Sequence, residues 1–132
     1  MKMYIMLLSF LLIPCLVSAG TMRDGLWELT TTMEMPGMPM KMPPQVIRHC
    51  YSKEDVKDQK KMIARDNDCK VTDYKQSGSM VTWKMKCTGK SAGDFSGETT
   101  FSGDSYTSNM KMSSQGQKMS MKIIGRRIGN CP

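Results

Sequence analysis

The chain has 132 residues, with 19 Lys and Arg against 12 Asp and Glu, a formal net charge of +7 and five cysteines. That length makes one domain. Its basic residues are spread along the chain rather than gathered into a stripe interleaved with aromatics, which excludes a nucleic-acid binder of the usual kind.

Residues 1–19 read as a secretory signal peptide. Lys2 supplies a positive start, Tyr4 to Ile13 form an apolar run interrupted only by Ser9, and Val17-Ser18-Ala19 offers the small residues that signal peptidase reads. The run is too short for a stable membrane anchor. Cys15 would suit a lipoprotein box, but Pro14 stands where such boxes carry Gly, Ala or Ser. Cleavage after Ala19 leaves residues 20–132 as a single disulfide-stapled β domain, in the periplasm or outside the cell. No later apolar run is long enough to cross a membrane, so no transmembrane segment is expected after signal removal.

GLWELTTTMEM, residues 25–35, alternates as a strand does, with Trp27, Leu29, Thr31, Met33 and Met35 on the inward face. The Met/Pro stretch that follows carries prolines at 36, 39, 43 and 44, which forbid a regular helix or central strand there. QVIRHCY is a short strand. Ser52 then caps a helix over KEDVKDQKKMIA, with Asp55 placed to complete a capping box. A hairpin over 69–87 turns at Ser77-Gly78-Ser79, and a second turns at Gly103-Asp104. SSQGQ leads into KMSMKII, and GRRIGNCP closes the chain. The pattern predicts a mainly β fold, an antiparallel meander forming a curved or partly closed sheet with one short helix and two disulfides.

Four cysteines follow the signal segment. The hairpin pairs two of them, because Cys69 and Cys87 lie nine residues either side of Gly78 and so face each other across the ladder. That leaves Cys50 to bridge Cys131. The spacings match no zinc pattern, and His49, the only histidine, adjoins Cys50 and would point the other way along a strand.

The methionines, 16 in all, recur as the i, i+2 pairs Met33/Met35, Met110/Met112 and Met119/Met121. In a strand such pairs share a face, so three strands present thioethers beside Trp27 and Trp83. Met fills irregular space and adapts to varied shapes. The face reads as a soft core, and in its functional form as a binding surface for an apolar small molecule or an envelope protein. The alternative is Cu(I), held by the thioethers of Met33, Met35, Met38, Met40 and Met42. Against it, that stretch lacks His and Cys, and its prolines extend it so that alternate sulfurs diverge. No nucleophile elbow, phosphate loop or acidic cluster is present, so no enzyme, no catalytic residue and no resident cofactor are expected.

GLWE at the start, MPGMPMKMPPQ, HCYSKED and the closing GRRIGNCP resemble, in order and spacing, the bacterial secreted family catalogued as domain of unknown function 3617. The resemblance spans Gly25 to Pro132. It implies small exported proteins with no catalytic residues to carry over; Cys50, Cys131 and Trp27 match the family's cysteine and early aromatic positions. Gly25-Leu26-Trp27 with Arg126 or Arg127 near the end also resembles lipocalin-like barrels, in which a late Arg lies over the Trp.

Overall fold

The computed structural model describes residues 22–64 and 66–132. The signal peptide expected at 1–19, with Cys15, lies outside the described residues. Seven antiparallel strands form one sheet: β1 (Gly25–Glu34), β2 (Gln45–Tyr51), β3 (Cys69–Ser77), β4 (Met80–Cys87), β5 (Gly93–Ser102), β6 (Ser105–Ser114) and β7 (Gln117–Gly129). The spatial order is β2-β1-β7-β6-β5-β4-β3, so β3 to β7 run as a meander and the last strand docks on the first. The sheet is open, with β2 and β3 at its edges.

One face carries the core. Across it run Met33, Met121, Met110, Gly97, Trp83 and Tyr74 as successive cross-strand neighbours, and beside them Met119, Met112, Phe95, Met85 and Val71. The buried cluster is Met22, Trp27, Leu29, Val81, Trp83, Phe101 and Tyr106. Two glycines make this packing possible. The Trp83 ring lies over Gly97 and the Tyr106 ring over Gly125, where an added Cβ would come within 2.5 Å and 2.3 Å of ring carbons. Both glycines sit mid-strand, where the missing side chain leaves an opening that a neighbouring aromatic fills.

The expected single helix is two short ones, α1 (Lys53–Lys57) and α2 (Gln59–Ile63). The capping box at Ser52 and Asp55 forms, with bonds of 3.0 and 3.1 Å. The break falls at Asp58, which leaves helical geometry at ψ 78° and turns its carboxylate back to accept from the Lys61 backbone N–H. An Asp that can cap competes with the helix that would run through it. Val56 and Ile63 pack this pair onto the core face.

The hairpin over 69–87 departs from expectation in its turn. The loop has two residues, Gly78 and Ser79, rather than three, and Ser77 pairs with Met80. Gly78 at φ +58° supplies the left-handed residue that such turns need. This shifts the ladder by one residue, and a β-bulge between Val71 and Asp73 shifts it back. Cys69 therefore still faces Cys87, and the two are bonded, as are Cys50 and Cys131.

The two bridges close loops with sequence separations of 18 and 81 residues. Chain-entropy arguments assign about 3 kcal/mol to a loop near the first length and about 4.5 kcal/mol to one near the second. Urea unfolding of the two double Cys→Ser variants should therefore show the larger loss for Cys50/Cys131. Equal or reversed losses would mean that native-state strain, not loop closure, sets their value.

Candidate functional site

The core end of the sheet is organised by Trp27, which is 0% exposed. Its Nε1 donates to the Arg23 carbonyl at 3.0 Å, and its ring meets Tyr51 edge-on at 6.3 Å and Tyr106 at 5.5 Å. Arg127 is its cross-strand partner and donates from Nε to the Asp24 carbonyl at 2.8 Å, over Gly25. Aromatic start and late Arg thus come together, on a sheet that does not close into a barrel. Trp27 is packed inside the core cluster and does not line the cleft under the helices.

A cleft of about 230 Å³ lies between the helix pair and the sheet. Its apolar walls come from Ile63, Val81, Trp83, Met85, Phe101, Met110 and Ile123. Polar atoms converge on it. The Tyr51 and Tyr106 hydroxyls lie 3.4 Å apart, those of Thr99 and Ser108 lie 2.8 Å apart, and Tyr74 donates to Gln59 Oε1 at 3.4 Å; all of these residues except Tyr74 line the cleft. Burial pushes the Tyr106 phenol far above its ordinary value, and the bond to Tyr51 adds to this. Tyr74 is raised by burial and then by the Asp58 carboxylate. Both phenols hold their protons at any physiological pH and are available as neutral hydrogen-bonding groups.

The methionine face forms, but mostly as packing. Of the residues singled out from sequence, Trp83 and Met110 line the cleft. Met110, Met112, Met119 and Met121 gather with Phe95 around a gap of only about 20 Å³, and the same residues also border wider recesses, Met112 and Met119 one of about 740 Å³ and Met110 and Met121 one of about 600 Å³. Met33 pairs with Met121 across β1 and β7, while Met35 follows the end of β1 and is half-buried. Of the thioethers proposed for copper, Met33 and Met42 share one small recess, whereas Met38 and Met40 stand 64% and 83% exposed. Among the described residues no three His, Cys, Asp or Glu side chains are grouped to hold a metal ion. His49 packs its ring against Tyr51 at 4.4 Å.

Tyr51, Gln59, Thr99, Tyr106 and Ser108 are the polar cleft residues that sequence reading missed. Alternation about Phe101 could have placed Tyr106 inward through its hairpin partner. Nothing local could bring Gln59 of a helix to Tyr74 of β3.

A family model described as protein of unknown function (DUF3617) matches residues 22–131. No curated protein and no solved structure matches the chain.

Gly125→Ala should force the Tyr106 ring off the sheet, opening the cleft and costing about 1–3 kcal/mol as overpacking does. Thermal denaturation and near-UV circular dichroism would register both effects; an unchanged melting temperature would show that the ring has room to move.

Proposed function

The chain belongs to the DUF3617 family, and we propose that it is a non-catalytic binding module of the periplasm or cell exterior whose cleft takes a small molecule with an apolar body and a hydrogen-bonding end. The supporting observation is the pairing of apolar walls with converging Tyr51, Tyr106, Ser108 and Gln59 polar groups in one cleft of about 230 Å³. Ligand sites are concave and mostly apolar, with a few placed polar groups. An apolar cavity of about 150 Å³ already admits benzene, so this one admits an aromatic ring or a short acyl segment. The adjoining methionines would let the face adapt to a longer tail or to an envelope protein, since thioether chains repack readily. Export is supported by the two disulfides, which persist in oxidising compartments, and by the signal-like first residues. Among the described residues no helix is long and apolar enough to cross a membrane.

The test is native mass spectrometry of the protein purified from periplasm, followed by titration with an apolar fluorescent probe such as a phenylnaphthylamine. The expected result is a small-molecule adduct or micromolar-range probe binding, lost in Ile63→Trp, which fills the cleft from the helix side. A bare mass together with no probe binding would sink the reading.

The second reading, Cu(I), is favoured by one observation: Met33 and Met42 line the same recess at the base of the Met/Pro loop. Soft thioethers suit Cu(I). Anaerobic titration would then show binding tighter than about micromolar that disappears when Met33 and Met42 become Leu. Weaker binding, or binding that survives those changes, removes copper.

A further inference from the structure

The other face of the sheet holds a wide recess of about 740 Å³ at the end where β1 leaves for the Met/Pro loop. Its lining includes Lys84, Lys86, Lys111 and Lys118, the single acid Asp94, Pro36 from the loop itself, and Met85, Phe95, Met112 and Met119 of the row between the lysines. The ladder explains the arrangement. Lys84, Ser96, Lys111 and Ser120 are successive cross-strand neighbours, and Lys86, Asp94, Ser113 and Lys118 form the adjacent row. Lys84 and Lys111 are two strands apart, roughly 10 Å at ordinary strand spacing. None of the four lysines is ion-paired among the described residues. The first of these rows ends in an acid on each side, with Asp73 opposite Lys84 and Glu34 opposite Ser120, and an adjoining recess sets these acids and Glu98 against Lys84, Lys111 and Lys122. The excess of positive charge lies in the second row, where Lys70, Lys86 and Lys118 stand with the single acid Asp94, and hydroxyls of Ser96, Ser113 and Ser120 accompany it.

The loop supplies the second observation. Met38, Met40 and Met42 are 64%, 83% and 46% exposed, and Lys41 is the only charge among residues 35–44. A soluble protein rarely leaves a run of large apolar side chains in water without a use for it. The loop that carries this run reaches the lysine recess at Pro36.

We propose that the Met/Pro loop and the lysine recess together dock the protein onto an anionic lipid surface. The thioethers of Met38, Met40 and Met42 enter the headgroup boundary, and the lysines bind the phosphate-bearing headgroups. Stable peripheral attachment takes an apolar and an electrostatic element acting together, and here the loop that carries the methionines borders the lysine recess at Pro36. The loop opens with a turn at Pro36-Gly37, closed by the Met38 N–H on the Met35 carbonyl at 3.2 Å, and its prolines restrict the chain that follows, which lowers the ordering cost of insertion. This surface is separate from the cleft under the helix pair, so each can fail without the other.

Co-sedimentation with phosphatidylglycerol vesicles and with phosphatidylcholine vesicles, at low and high salt, tests it. Binding should be at least tenfold stronger to the anionic vesicles and weaken with salt. Each basic residue near an anionic surface is worth about fivefold, so Lys111→Glu/Lys118→Glu should lower binding by more than about 25-fold. Met38→Ser/Met40→Ser should also lower it severalfold, leaving a residue of binding that high salt abolishes. Circular dichroism of each variant would confirm the sheet, since all four positions are exposed or half-exposed. Equal partition onto both vesicle types, or none, would overturn the proposal. So would a methionine variant that binds like the parent, because the lysines would then be holding a polyanion rather than a bilayer.

Discussion

The structure depends on burying Trp27. A single open sheet has little material with which to cover its apolar face, and here the cover is an eleven-residue helix pair and the segment before β1. Trp27 sits at the point where that cover is complete. Its indole N–H, costly if left unbonded in the interior, is satisfied by the Arg23 carbonyl. The same corner is held by Arg127 bonding the Asp24 carbonyl and by the Cys50–Cys131 bridge, which ties the end of β2 to the chain terminus. First strand and last strand are thereby locked together. The meander between them then has a fixed frame on which to close.

From that corner the sheet grades in character. Near Trp27 the face is aromatic, with Tyr51, Tyr106 and Phe101 in mutual contact, and the glycine beneath Tyr106 lets the ring lie flat enough to be buried. Toward the Met/Pro loop the aromatics give way to thioethers, which fill the space by bending rather than by fitting. The cleft lies between these regimes, where the helices approach the sheet without filling the gap. Polar groups reach it because Ser108 and Thr99 stand opposite each other on the inward face, and their hydroxyls bond across the strands instead of going unsatisfied.

The two faces differ in chemistry. Inward, a cleft with apolar walls and neutral phenols suits a small uncharged or weakly polar group. Outward, lysines alternate with serines on a face left open to solvent. The pleat sends successive residues such as Met110, Lys111 and Met112 to opposite sides, so one strand serves both. The KMKM-like repeats that make the composition unusual are, in this fold, a device for building two unlike surfaces from the same strands.

Much of this was legible before the structure. Strand alternation put Trp27, Leu29 and Met33 on one face, the Ser52–Asp55 capping box was readable, and symmetry about Gly78 paired Cys69 with Cys87. That pairing survived an error in the turn, because the bulge near Thr72 returns the register that the two-residue loop removes. Local signals of this kind depend only on backbone period, turn chemistry and capping, all of which act within a few residues. Asp58 shows their limit: the acid suited both a continuing helix and a new cap, and tertiary packing of Val56 and Ile63 decided between them. The sequence by itself determined the class of fold, the disulfide pairs and which methionines share a face. Only the tertiary structure decided that those methionines gather around one small gap, that the cleft lies under the helices, and that four lysines from β4, β6 and β7 share one recess beside the loop. Those outcomes rest on the order of strands in the sheet and the placement of a helix across it, which bring together residues that no local pattern relates.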